Sequence, residues 1–211
     1  APAGVFDAAN RIRSTLGMSM GAMIVGLMPS FARNVGDDQD NSDRLIGYSL
    51  KYMCLTMSAA ATVLALAAGW IIQLLYGPDF AAAAQPLQLL VWAQVLVAVD
   101  AVLQQAMLAT GHEYAAARHS TYGVVGQLLL ILATAPLLGL AGVSVAVLLA
   151  SAVPLALDLG FVVKNVASIQ VRRFVTGPLV AGSVVACMMF AARNLAFPLQ
   201  ALVAAGGWGV T

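Results

Sequence analysis

The strongest constraint on this chain is a run of 39 residues, 119–157, that contains no Asp, Glu, Lys or Arg. A helix needs about 20 mostly apolar residues to cross the hydrocarbon core of a bilayer, so the run is long enough for two crossings. Residues 136–142, which include Pro136, Gly139 and Gly142, interrupt it with turn-forming residues. The run therefore predicts a pair of membrane-spanning helices joined by a short turn.

The composition of the whole chain supports a membrane location. Charged residues make up 9% of the sequence, against about 25% in a typical soluble domain. Hydrophobic residues make up 61%, and the mean hydropathy is +0.90. These values exclude a soluble enzyme and a disordered tail, and a net charge of +1 excludes a nucleic-acid reader. Continuous Leu- and Ala-rich runs do not fit the alternation of a membrane barrel. The predicted fold class is an all-α, polytopic transmembrane helix bundle.

Polar and turn-forming segments divide the chain into about six complete spans and a truncated seventh. The polar stretch 33–44 is expected to form the loop after the first span. The sequence starts without Met and stops inside an apolar run, so we expect a fragment of a longer protein. The complete spans are expected at about 4–32, 45–76, 86–110, 115–138, 141–163 and 174–192, and the seventh begins near residue 196.

The orientation follows from the Lys and Arg residues of the loops, because cytoplasmic loops carry the excess of positive charge. If the loops alternate sides, one side holds seven such residues and the other holds only Arg193. The side with seven is expected to be cytoplasmic. Its members are Arg33, Arg44, Lys51, Arg118, Lys164, Arg172 and Arg173.

The first span carries a polar face near its start. At 100° per residue, Asp7, Asn10, Arg11 and Ser14 lie on one side of the helix. Ionisable residues inside a membrane are energetically expensive, which makes them functional candidates. Asp7 and Arg11 have the i, i+4 spacing of an ion pair. The face is either an anionic-ligand site in a cavity or an interfacial helix start whose Arg11 snorkels outward.

A second candidate lies near the middle of the third span, where Asp100 is followed one turn later by Gln104. These residues form either a proton or cation relay or a carboxyl group held by interhelical hydrogen bonds. Asp158, near the cytoplasmic end of the fifth span, is expected at the membrane interface.

The sequence contains no nucleophile elbow, phosphate-binding loop or metal-ligand spacing. We therefore expect no catalytic residue, no metal and no cofactor. A membrane enzyme acting on polyprenyl phosphates would need a polar cluster at one loop face. A weak version of such a cluster is formed by His112, Glu113, Arg118 and His119.

Several loose motifs, in this order and spacing, resemble the second half of a polysaccharide-biosynthesis flippase of the multidrug/oligosaccharidyl-lipid/polysaccharide exporter superfamily. Together they extend over nearly the whole chain. They read G-V-F-D-A-A-N-R-I (4–12), L-M-P-S-F-A-R (27–33), I-I-Q-L-L-Y-G-P-D-F (71–80), A-A-A-A-Q-P-L-Q-L-L (81–90), M-L-A-T-G (107–111) and P-L-L-G-L-A-G-V (136–143).

The resemblance implies a multi-pass protein of the bacterial inner membrane that moves undecaprenyl-pyrophosphate-linked oligosaccharide, an O-antigen or exopolysaccharide repeat unit, by alternating access. Residues 1–211 would form the C-terminal lobe and trailing helices, and the N-terminal lobe would be absent from this sequence. Implied partners are the lipid-linked oligosaccharide, membrane lipids, a polysaccharide polymerase and glycosyltransferases, with no nucleic acid.

The resemblance also bears on the substrate site. Arg11 matches a cavity arginine that holds the anionic head group in the related lipid II flippase, whereas Asn10 stands where that pattern has an acidic residue. Asp7 and Ser14 complete the expected substrate-binding set. A drug/cation antiporter of the same superfamily is the alternative, and it would use acidic residues such as Asp100 deep in the cavity.

Overall fold

The computed structural model describes residues 2–34 and 39–166. These residues are helical apart from short turns, which confirms the all-α prediction. The elements are α1 (Pro2–Asn34), α2 (Gln39–Tyr76), a 3-10 segment (Pro78–Ala83), α3 (Ala84–Ala109) and α4 (Glu113–Asn165).

The long helix α4 folds back on itself at Gly139, which has φ 57° and ψ −138°. This backbone conformation suits glycine because a Cβ atom would clash with the neighbouring backbone. The first arm (residues 113–138) and the second arm (residues 140–165) lie antiparallel. Thr134 Oγ1 donates to the Gly142 carbonyl at 3.1 Å, and a Cβ atom on Gly123 would meet Pro154 Cγ at 3.0 Å. The two arms correspond to the fourth and fifth spans expected from the sequence.

Two further glycines with positive φ turn the chain. Gly77 (φ 86°) separates α2 from the 3-10 segment, and Gly111 (φ 77°) lies between α3 and α4. Gln88 of α3 donates to the Ala65 carbonyl of α2 at 3.1 Å, so α2 and α3 run antiparallel about Gly77. The bundle therefore has two ends. The first end holds the start of α1, the Gly77 turn and the Gly139 bend, and the second end holds the end of α1, the Gly111 turn and the end of α4.

The centre of the bundle is α3, which packs against α1, α2 and α4 and is more deeply buried than α2. On the facing side of α2, Ala61, Ala65 and Ala68 are fully buried. Small side chains at this spacing allow two helix backbones to approach closely, as membrane helices do. The close approach places the Ala65 carbonyl within reach of Gln88.

The outer surface of the bundle is apolar along most of its length. On α2, Leu55, Val63, Leu66, Trp70 and Leu74 are all more than half exposed. An apolar surface of this extent fits contact with lipid and does not fit contact with water. Three helices in the described part of the chain are long and apolar enough to cross a membrane, namely Asp43–Tyr76, Pro78–Ala109 and Gly142–Asn165. The protein is accordingly a helical membrane protein.

The larger count of about six spans and a truncated seventh stays a prediction. The helices α1 and the first arm of α4 match the first and fourth expected spans but are not among those three. The expected sixth and seventh spans lie outside the described residues. The expected polar loop 33–44 is wrong in its extent, because α1 runs to Asn34 and α2 begins at Gln39. Polar residues such as Gln and Arg are good helix formers, so polarity alone does not mark a loop.

Candidate functional site

The polar face predicted on α1 is present and lies away from the rest of the described bundle. Arg11 Nε donates to Asp7 Oδ2 at 2.9 Å, which confirms the expected pair. Both side chains are exposed, at 72% for Arg11 and 57% for Asp7. The opposite side of α1 packs inward through Ala8 and Ala9, which are buried. This inward packing fixes the direction in which Arg11 points.

The other two members of the predicted substrate set make different contacts. Asn10 accepts a hydrogen bond from Arg13 Nε at 3.1 Å and is half-buried. The Ser14 hydroxyl donates to the Arg11 carbonyl at 2.7 Å, within the helix. The structure therefore brings Asp7 and Arg11 together, whereas Asn10 binds the neighbouring arginine and Ser14 binds the backbone.

The second predicted pair lies deep in the bundle. Gln104 Nε2 donates to Asp100 Oδ2 at 2.9 Å, one turn along α3. Asp100 is only 7% exposed, and no donor in the described residues reaches its other oxygen, Oδ1, which is buried. The carboxyl group is therefore half satisfied, which is unusual for a buried polar group.

A second buried carboxyl group faces Asp100 from α4. Asp158 is 0% exposed, and its carboxyl group is close enough to Asp100 for the two charges to interact. Asp158 Oδ1 lies 2.6 Å from His119 Nδ1 of the first arm, while Asp158 Oδ2 is buried and meets no donor within the described part of the chain. The side chain is therefore enclosed by the bundle, and its expected depth at the membrane interface stays a prediction.

On the side of the second end, an aromatic ring covers the cluster formed by Asp100, Asp158 and His119. The Phe161 ring meets the imidazole of His119 edge-on at a centroid distance of 5.8 Å, and that of His112 at 5.3 Å. His112 Nδ1 is hydrogen-bonded to the Thr110 hydroxyl at 3.0 Å. Phe161 thus separates a buried histidine from a half-exposed one.

The weak enzyme-like cluster of the sequence does not gather at one loop face. Glu113 and Arg118 are exposed, whereas His119 is directed into the bundle and binds Asp158. Among the described residues, no group of three His, Cys, Asp or Glu side chains is arranged to hold a metal ion.

The arginine pair and the buried acidic cluster are separate sites. Gly17 of α1 lies beside Gln94 of α3, and Gly4 lies near Phe80, so α1 and α3 run parallel with a nearly constant offset. On this register Arg11 is level with Gln88, which precedes Asp100 by 12 positions. At 1.5 Å per residue, the two sites are about 18 Å apart along the bundle.

Sequence reasoning missed the partnership of His119 with Asp158, although a signal was present. The two residues are 39 positions apart, and in a straight helix they would be separated by about 60 Å. They are almost symmetric about Gly139, so a hairpin folded at that glycine brings them level. The signal for this contact is the predicted turn at 136–142, because residues equally far from it on the two arms lie level.

No protein-family model matches this sequence, and comparisons with curated proteins and with solved structures find no significant match. The resemblance to the exporter superfamily therefore depends on the sequence motifs alone.

Proposed function

We propose that this protein transports undecaprenyl-pyrophosphate-linked oligosaccharide across the bacterial inner membrane by alternating access. The observation that carries the proposal is the exposed Arg11 guanidinium, held by Asp7 on the outward face of α1. The order of motifs along the chain supports the same substrate class. The protein would act as a carrier and not as an enzyme, and its partners would be the polymerase and glycosyltransferases that use the same lipid-linked sugar.

The chemistry of the guanidinium suits a pyrophosphate ligand. Its planar fork can donate to two phosphate oxygens at once, and it keeps its charge at any working pH. In the described part of the chain, the hydrogen-bonded nitrogen of Arg11 is Nε, which contacts Asp7. The terminal nitrogens are therefore the donors that remain for a ligand.

Asp7 has a positioning role in this proposal. A carboxylate one turn away holds the guanidinium on the outward face when no substrate is bound. An exposed i, i+4 pair is weak, at about 0.3–0.5 kcal/mol, so an anionic head group can compete with it. The site therefore fits reversible binding, which transport requires.

The test uses the full-length protein in a flippase-deficient strain, with membrane levels checked by blot. We expect Arg11→Ala to reduce flipping about tenfold or more, because hydrogen bonds to charged groups contribute about 1.5–3 kcal/mol. Arg11→Lys should keep part of the activity, since the charge survives and the fork is lost.

Arg13→Ala is the matched control, because Arg13 is half-buried, is bonded to Asn10 and lies roughly 160° from Arg11 around the same helix. It should leave flipping close to the wild-type level. Equal, mild effects of Arg11→Ala and Arg13→Ala would contradict the proposal and assign Arg11 to the membrane interface.

A drug/cation antiporter is the second candidate function, and one observation favours it. An antiporter would use acidic residues deep in the bundle, and Asp158 joins Asp100 there. Uptake of an organic cation by the protein in vesicles, unaffected by Arg11→Ala, would support the antiporter over the flippase.

A further inference from the structure

Three ionisable side chains are buried together between α3 and the two arms of α4. Asp100, Asp158 and His119 are each at most 7% exposed. Burying an uncompensated charge in a protein within a membrane is energetically expensive. The net charge of these three groups must therefore be close to zero.

The first step of the charge balance is the contact between His119 and Asp158. The distance of 2.6 Å joins Nδ1 to Oδ1. Such a contact joins either a protonated carboxyl group to a neutral imidazole or an Nδ1–H group to an ionised carboxylate, which can only accept; the site proposed below uses the second arrangement. A doubly protonated His119 and an ionised Asp158 together carry no net charge, which leaves Asp100 to be balanced.

The second step is the pair of oxygens without partners. Among the described residues, no donor group reaches the buried oxygens Asp100 Oδ1 and Asp158 Oδ2, and the two carboxyl groups are close enough to interact with each other. Asp100 Oδ2 already accepts from Gln104. Buried polar atoms are nearly always hydrogen-bonded. A single proton between the two carboxyl groups would give each of these oxygens a partner.

We propose that Asp100, Asp158 and His119 form a proton-binding site, in which one proton is held between the two carboxyl groups beside an ionised His119–Asp158 pair. The site takes this proton from water and returns it to water, and no other reactant is involved. The assignment does not depend on the proposed lipid substrate, because Arg11 lies about 18 Å away along the bundle axis.

The surroundings favour a proton over a metal ion as the ligand. No group of three metal-ligating side chains in the described residues, these included, has the arrangement of a metal site. Gln104 directs its amide nitrogen, a donor, at Asp100. A donor that faces the carboxylate competes with a cation but is compatible with a proton on the other oxygen.

Neighbouring charged groups contribute little to this site. Among the described residues, the charged group that interacts with Asp100 is Asp158, on α4. No charged group on the described parts of α1 or α2 does so. On α4, Arg118 and Lys164 are exposed, and His112 lies on the far side of Phe161. Proton occupancy is therefore set mainly by the two carboxyl groups, His119 and Gln104.

Infrared spectroscopy of the purified full-length protein, in a detergent without ester groups, tests the proposal. At neutral pH we expect a carbonyl band from a protonated carboxyl group that shifts in heavy water. Asp100→Asn should abolish this band. The matched control Asp79→Asn, which changes an exposed aspartate in the 3-10 segment, should leave it unchanged. Absence of the band in the wild-type protein, or its persistence in Asp100→Asn, would overturn the proposal.

A second measurement needs no change to the carboxyl groups. Nitrogen NMR of the full-length protein labelled at histidine reports which ring nitrogens carry a proton, and the signals that disappear in His119→Gln belong to His119. We expect His119 to carry a proton on both ring nitrogens at neutral pH. A neutral His119 would overturn the charge balance. In the infrared experiment, loss of the carbonyl band on addition of sodium ions would also overturn the proposal, because the site would then bind sodium.

Discussion

The two histidines of this chain touch the same phenyl ring but have different electrostatic partners. His119 is buried against a fully enclosed carboxylate, whereas His112 is half-exposed and bonded to a threonine hydroxyl. Removing one partner of a buried ion pair leaves an uncompensated charge, which typically costs about 3–5 kcal/mol. Losing an ordinary hydrogen bond costs about 1 kcal/mol.

We therefore expect His119→Ala to destabilise the folded protein by several kcal/mol and His112→Ala to do so by about 1 kcal/mol. Denaturant unfolding in detergent measures both changes. Adding Asp158→Asn to His119→Ala should recover part of the loss, because the unpaired charge is removed. Similar losses for the two histidine variants would show that His119 and Asp158 do not form an ion pair.

The candidate sites were predictable where the partners are close in sequence. Asp7 with Arg11, and Asp100 with Gln104, are each one helical turn apart, and both contacts are present in the structure. The contact of His119 with Asp158 depends on how two helices pack, and helical periodicity within one span carries no information about that packing. The sequence therefore indicated only the position of Asp158 near the end of its span, and the packing of the two arms shows that its side chain is enclosed.

Among the elements, the α4 hairpin depends on the backbone of a single residue. Gly139 has φ 57° and ψ −138°, a conformation that costs a residue with a Cβ atom about 1–3 kcal/mol. We expect Gly139→Ala to lower the free energy of unfolding by that amount.

Gly126→Ala is the control for this prediction. Gly126 lies inside the first arm with helical geometry, and an added Cβ atom would meet nothing within 4 Å. Alanine is favoured over glycine there by about 0.5–1 kcal/mol, so this variant should unfold at an equal or higher denaturant concentration. Equal stability of the two variants would show that the bend tolerates a side chain.

The sequence predicted the positions of the helices better than it predicted the residues at which they begin and end. Two turns occur between the spans expected from the sequence. The first ends α2 because Gly77 adopts positive φ and Pro78 lacks a hydrogen-bond donor, and the second follows α3 because Gly111 adopts positive φ. Polarity was a poorer guide. The stretch from Gln39 to Arg44 is polar yet helical, because residues such as Gln and Arg are good helix formers despite their polarity.

For the whole molecule, the two ends of the bundle make an orientation test possible. Asp79 lies at the first end and Glu113 at the second, and both are exposed. In a variant with Cys54 and Cys187 replaced by alanine, we expect Asp79→Cys to react with a membrane-impermeant thiol reagent in intact cells. Glu113→Cys should react only after permeabilisation, because the Lys and Arg count places the second end in the cytoplasm.

The reverse labelling pattern would overturn the orientation. Labelling of both cysteines in intact cells would contradict the placement of the two turns on opposite sides of the membrane.

The folding of α4 back on itself also bears on how the protein enters the membrane during synthesis. The charged residues Arg118 and Asp158 flank the hairpin, and both belong to the second end. The 39 residues between them contain no Asp, Glu, Lys or Arg. Moving a Lys, Arg or Asp to the bilayer centre costs about 2.5–3.5 kcal/mol on insertion scales. The Gly139 bend can be translocated without this cost, so both arms can insert together from one side. His119 and Asp158 can then come into contact while the two arms insert.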